Sequence, residues 1–322
     1  MDRDEHVTVA LNTENTPLIQ HVTSQSCATT ALSILWYFGD DPCNNLDAVG
    51  TVLFEAKASQ FDSVRFEIKG NLYSDITVKE ADSPTDKAIR MNIRVRASSE
   101  TALNEVLAKT TSQLNAGYLE AMMDVSEIEM LKYSCARAKI VITYPRVSSS
   151  FDDLIIVTPH GTFEYKAKER QLNIERMMVY LGKGSIKVGG SVSDYADLKT
   201  GTGDIGGWLL SQGVVKATVR SGTINLDIDS EAPQKLDVSA WSYFGGSEVR
   251  LRQLFEGHFS LTSVFGHTEL SVTKDGDTKV HYATDGSHRQ AGWMSLSESE
   301  PEAMLPRIEV FSFMGSANLT AP

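Results

Sequence analysis

The chain has 322 residues, 41% of them apolar and 22% charged, with a formal net charge of −12. That apolar fraction excludes a disordered chain, and at about 150 residues per domain the length allows one large domain or two small ones. The acidic balance argues against a nucleic-acid backbone or an anionic membrane as the main partner, because either needs a positive field.

Residues 1–50 show no clear hydrophobic period and read as an irregular lead-in. The start, Met-Asp-Arg-Asp-Glu-His, is acidic with no apolar stretch behind it, so no secretory signal is expected and the protein is placed in the cytoplasm. The most apolar run, residues 31–38, is far shorter than the roughly 20 residues needed to cross a bilayer. It reads as a core strand or short packed segment, and no membrane span is expected. Cys27, Cys43 and Cys135 are sparse, odd in number and lack Cys-x-x-Cys spacing. Free buried thiols are the expectation, with a Cys27–Cys43 bridge as the alternative.

A single β-rich domain is expected over 51–322. Its first part, 51–150, alternates in the manner of half-buried strands. Val64, Phe66 and Ile68 alternate with Arg65 and Glu67, and Ile76 with Val78 and Ile93 with Val95 follow the same rule. Ser99 to Leu114 breaks the pattern: Leu103, Val106, Leu107 and Leu114 fall near helical spacing, Glu100 sits in the first turn and Gly117 stops the run. This predicts an amphipathic helix of about four turns, and a weaker helical stretch is predicted over 119–133. Residues 138–144 then read as a strand stopped by Pro145.

From Phe151 to about residue 290, short β runs recur between glycines. Ile155 to Ile174, Ile186 to Ile205 and Ile205 to Ile224 are each separated by 19 residues, and Val249 follows 25 later. A period near 20 with glycine turns marks stacked rungs, each burying its apolar face against the next. All six residues are expected to point inward. Residues 291–322 read as a C-terminal strand and tail. The fold class expected is mainly β: a β-solenoid or stacked-sheet architecture with one or two short helices in the N-terminal half.

The segments 182–188 (Gly-Lys-Gly-Ser-Ile-Lys-Val), 202–205 (Thr-Gly-Asp-Ile) and 220–226 (Arg-Ser-Gly-Thr-Ile-Asn-Leu) resemble the Ser-Gly-Asp-Ile rungs of the adhesin-head β-solenoid family. Phe61-Asp62-Ser63-Val64 resembles a strand segment of that family's fungal relatives. The resemblance covers roughly 52–273 and is strongest at 182–228. It implies a β-solenoid that binds a protein or glycan, and its motifs carry no catalytic residues.

Few motifs carry chemistry. Gly201-x-Gly203-x-x-Gly206 matches a dinucleotide fingerprint in letters only, since strands rather than a helix follow it. Asp275-Gly276-Asp277 lacks the spacing of a calcium loop and reads as a hairpin turn between 270–272 and 279–281. The histidines show neither His-x-His nor His-Glu-x-x-His, so neither metal nor any other cofactor is expected. The remaining signal is a C-terminal crowd of aromatics and histidines, suited to a small apolar ligand.

Two functions stay open. One is a cofactor-independent small-molecule enzyme, a pericyclase that preorganises an apolar polyene for a Diels–Alder-like cycloaddition. It resembles the norbornene-forming Diels–Alderase type of fungal secondary metabolism. In it, His258, His267 and Tyr282 would be the catalytic hydrogen-bonding tips, and Trp241, Tyr243 and Trp293 the substrate wall. The alternative is a non-catalytic, adhesin-like β-solenoid. A homo-oligomer is compatible with either. An enclosed apolar pocket would favour the first and a flat open face the second.

Overall fold

The computed structural model describes residues 7–11, 18–25, 46, 48–57, 62–83, 85–86, 88–115, 118–128, 135–145, 151–167, 173–272, 279–295 and 306–322. The fold is mainly β, with one α-helix among the described residues. The chain separates into two compact units, Met1–Ser148 with Val157–Gly161 and Ser149–Ile156 with Thr162–Pro322, where one β-rich domain over 51–322 was expected.

In the first unit, β1 (Val7–Leu11), β2 (Leu18–Gln25) and β3 (Ala48–Lys57) pair antiparallel in that order. The segment expected as an irregular lead-in therefore contributes strands. Then come β4 (Ser63–Lys69), β5 (Tyr73–Glu80), β6 (Ala88–Ala97), α1 (Glu100–Ala108), β7 (Thr110–Asn115), β8 (Tyr118–Asp124) and β9 (Ala136–Tyr144). β4 runs parallel to β8 and β5 to β9, and β6 lies antiparallel to β3 and to β9. Alternate residues are buried on β4 (Val64, Phe66 and Ile68) and on β6 (Ile89, Met91, Ile93 and Val95).

The helix is shorter than predicted. The Ser99 hydroxyl accepts the Ala102 N–H at 3.2 Å and caps it. Glycine at 50 leaves room for its apolar side, since a Cβ there would lie 2.6 Å from Leu107 Cδ1. The run ends at Lys109 because Thr110 to Asn115 pair with β8. The second predicted helix begins instead as that strand, with Leu119, Ala121 and Met123 buried in alternation. Its Leu, Ala, Met and Glu favour helix, and sheet pairing overrides that local preference. Residues 31–38, Cys27 and Cys43 lie outside the described residues. Cys135 is disulfide-bonded, which corrects the expectation of free thiols.

The second unit holds β10 (Phe151–Lys166, in part), β11 (Asn173–Lys183), β12 (Ile186–Thr202), β13 (Ile205–Leu210), β14 (Val214–Ser221), β15 (Ile224–Asp229), β16 (Asp237–Phe244) and β17 (Ser247–Leu251). These are followed by β18 (Gly257–Ser263), β19 (Thr268–Val272), β20 (Lys279–Asp285), β21 (Arg289–Ser295), β22 (Arg307–Met314) and β23 (Ala317–Ala321). They form two parallel ladders. The first runs β12, β13, β15, β17, β23, β19. The second runs β11, β12, β14, β16, β22, β18, and the antiparallel strands β21 and β20 extend it.

Ile186, Ile205 and Ile224 stack in register and are buried, as the 19-residue spacing predicted. The other members of the proposed column differ. Val249 is buried but pairs with Leu226, because Ile224 faces Ser247. Ile174 is buried in the second ladder opposite Val192. Ile155 is half-buried on the opposite face from buried Leu154 and Ile156. The expected 270–281 hairpin is also replaced: β19 pairs with β23 and β20 with β21, while 275–277 lie outside the described residues.

Rung order departs from chain order. β22 lies between β16 and β18, and β23 between β17 and β19. Residues 307–321 thus occupy a rung between strands that precede them. Each rung turns at a glycine, and Gly184, Gly203, Gly222, Gly245 and Gly315 all have φ between 132° and 145°. The turns stack so closely that a Cβ on Gly222 would collide with the Gly203 carbonyl, and one on Gly245 with the Gly222 carbonyl. Three residues before a turn glycine, Thr200, Ser242, Ser312 and Ser263 donate to the carbonyls of Gly184, Gly222, Gly245 and Gly315 at 2.7–2.9 Å. Val219 breaks this hydroxyl column.

Candidate functional site

Four of the six predicted site residues lie on the outward face of the second ladder. Trp241 packs against Phe311 at 5.4 Å between ring centroids, and Tyr243 meets the same ring edge-on at 6.4 Å. His258 stands opposite Trp293 across the β18–β21 pair, and Trp293 stands opposite His281. The His281 ring stacks on the Trp293 indole at 5.0 Å with 8° between planes. The Trp241 Nε1, Trp293 Nε1 and His281 Nε2 atoms are buried without a hydrogen-bond partner.

The register places His258 four residues along and two strands across from Trp241, and Trp293 one strand further, on the order of 20 Å for the latter. Tyr282 belongs to the other face, in register with Gly292 and Phe259, and meets Phe259 edge-on at 6.0 Å. Burial first, and then the charge of Asp285, raise its phenol pKa. His267 is exposed at a rung turn beside Gly266. The structure therefore joins Trp241 with Tyr243 and His258 with Trp293. It does not gather all six around one cavity.

A different apolar feature emerges at the turns. The two residues before three successive turn glycines are Tyr243 and Phe244, Phe313 and Met314, and Val264 and Phe265. All are exposed: Phe265 by 68%, Phe244 and Met314 by 49% each. Phe265 and Phe313 touch edge-to-face at 5.3 Å. In the earlier rungs the same places hold Gly182 and Lys183, Gly201 and Thr202, and Arg220 and Ser221. The apolar strip thus begins at the β16 rung and continues over the inserted one. Alignment of the turn glycines would have shown it in the sequence.

The first ladder carries an open groove of about 520 Å³, lined by Lys187, Gly206, Trp208, Asn225, Asp227 and Arg250 among others. Its floor is backbone where glycines replace side chains. The Trp208 indole lies over Gly189, whose Cβ would sit 3.3 Å from Nε1. Arg250 pairs with Glu248 at 2.8 Å, and Arg252 with Asp227 at 2.9 Å. At the start of the second ladder, Lys199 and the Tyr180 hydroxyl both donate to Asp197 Oδ2, at 2.7 and 2.9 Å. Burial first, and then that carboxylate, push the Tyr180 phenol up to about 12.

Among the described residues no three His, Cys, Asp or Glu side chains group as metal ligands, and no helix is long and apolar enough to cross a membrane.

No protein-family model and no curated protein matches the chain. Among solved structures, it is similar to a putative cell adhesion protein from Clostridium sporogenes, at 12% identity over 84% of this chain and 99% of that one, with a TM-score of 0.31. A putative adhesin from Bacteroides fragilis matches at 11% identity, over 84% and 97% of the two chains, with a TM-score of 0.35. A putative lipid binding protein from Parabacteroides distasonis matches at 12% identity, over 84% and 96%, with a TM-score of 0.33. At such scores these likenesses carry no functional argument. The Diels–Alderase resemblance finds no support among them.

Proposed function

We propose that the chain is a non-catalytic, adhesin-like β-solenoid that binds a protein partner through the apolar strip at its later turns. The carrying observation is the run of Tyr243, Phe244, Phe313, Met314, Val264 and Phe265 exposed on three adjacent rungs. Aromatic residues and methionine are enriched in protein interfaces, and contiguous exposed apolar surface on a soluble protein marks contact sites. The rigid ladder behind the strip holds these side chains in fixed spacing, which lowers the entropy lost on binding. Cyclisation of a polyene would instead require the six predicted residues to close around the substrate, and they lie in separate places.

The test coats beads with wild-type protein and with a Tyr243→Ser, Phe313→Ser, Phe265→Ser triple variant, checked for folding by circular dichroism. Both are scored on a panel of purified cell-surface proteins. Saturable binding lost in the folded triple variant is expected. Equal binding by both, or turnover of polyene substrates by the wild type, would overturn the proposal.

A further inference from the structure

The geometry points to a second, separate binding site: the groove on the first ladder takes an oligosaccharide. A sugar ring presents an apolar C–H face and, around its edge, adjacent hydroxyls. Recognition therefore needs a flat apolar plate flanked by planar polar groups. Trp208 supplies the plate, held level by the missing side chain at Gly189 and left open on its own strand by Gly206. The neighbouring rung places Asn225 opposite Gly206 and Asp227 opposite Trp208, and the next places Arg250 opposite Asp227.

Carboxylate, amide and guanidinium are the side chains able to bridge two neighbouring hydroxyls. Asp227 and Arg250 follow one another at the rung spacing of about 4.8 Å, close to the length of one ring along a sugar chain, and Asn225 lies two residues before Asp227 on the same strand. Several of these groups are already ordered by their own pairs, such as Arg252 with Asp227. These pairs preorganise the lining. The lining mixes charges: Lys187, Arg250 and Arg252 stand with Asp204 and Asp227, Glu164 and Glu248 pair with Lys187 and Arg250 at 3.8 and 2.8 Å, and Asp204 is engaged by the Thr223 N–H and hydroxyl at 2.8 and 2.7 Å. That mixture offers both donors and acceptors to sugar hydroxyls.

Two variants isolate the groove. Trp208→Ala removes the plate. Gly206→Leu fills the trough; a Cβ there meets the Asn225 carbonyl at 3.3 Å, which must give by a few tenths of an ångström. The full chain is titrated with cellotetraose as a neutral probe and tetragalacturonate as an acidic one, followed by tryptophan fluorescence and isothermal calorimetry. Saturable binding of either probe is expected, weakened about tenfold or more in both variants. Thermal melting of each variant confirms that it is folded. Absence of binding by both probes at millimolar concentration, or binding unchanged in both folded variants, would overturn the inference. Neither outcome bears on the apolar strip, whose residues lie on the other ladder and its turns.

Discussion

The Ser312 hydroxyl donates a 2.7 Å hydrogen bond to the carbonyl of Gly245, 67 residues earlier in the chain. It ties the inserted rung to the turn below it, and the same bond recurs wherever Ser or Thr stands three residues before a turn glycine. Ser312→Ala should cost about 1 kcal/mol in urea unfolding. Val219→Thr, which restores a hydroxyl between Thr200 and Ser242 in the column, should stay within about 0.5 kcal/mol of wild type. A buried hydroxyl without an acceptor would cost about 1–3 kcal/mol, and a loss of that size would show that the Gly203 carbonyl cannot accept it.

Gly222 has φ +140° and stacks against the Gly203 carbonyl. Gly222→Ala should therefore destabilise by about 2–5 kcal/mol, from backbone strain and overlap together. Gly206→Ala on the open face should cost about 1 kcal/mol or less. Equal denaturation midpoints for the two variants would contradict the stacked-turn geometry.

The Tyr180 phenol is pushed up to about 12 from its ordinary 10.0, chiefly by burial and then by Asp197. A raised folded value means the neutral phenol is favoured by folding. The associated stability is whole below about pH 10 and is lost as pH rises through about 12. Wild type should lose more stability across that window than Tyr180→Phe, measured by urea midpoints. A parallel decline would place the titrating group elsewhere.

Cys135 is disulfide-bonded. Denatured, unreduced protein should release fewer than three thiols in a colorimetric assay, and all three after reduction. Loss of the bridge through Cys135→Ser should cost about 2–4 kcal/mol. Three thiols without reductant would rule the bridge out.

Much of the second unit was legible because its period is local. Ile186, Ile205 and Ile224 sit one rung apart, and the glycine before each keeps the register. The first unit was harder: β8 is built from helix-favouring residues, and only its pairing with β4 and β7 makes Leu119, Ala121 and Met123 a buried strand face. Val249 points inward as expected, but it is not the next member of the Ile224 column, because the step from β15 to β17 is 23 residues rather than 25, as Leu226 opposite Val249 shows. The candidate site was legible only as composition. Aromatic crowding between 241 and 293 says nothing about which ladder, face or turn each ring occupies, and the partner ring Phe311 lies outside that stretch. The Phe-Met-Gly and Val-Phe-Gly turns were readable as repeats of Tyr-Phe-Gly once Gly245 is aligned with Gly222.

The position of β22 and β23 also sets an order of events in time. A solenoid ordinarily grows by zipping each new rung onto the one just made. Here such growth halts at β16 and β17, because the strands that follow them in the chain belong one place further on. The vacancy closes only when residues 307–321 return across a long connection, a search whose cost is set by loop closure rather than by local contacts. Assembly is therefore split into an early cooperative stage and a late docking stage, and the exposed aromatic turns on either side of the vacancy come into line only at the second.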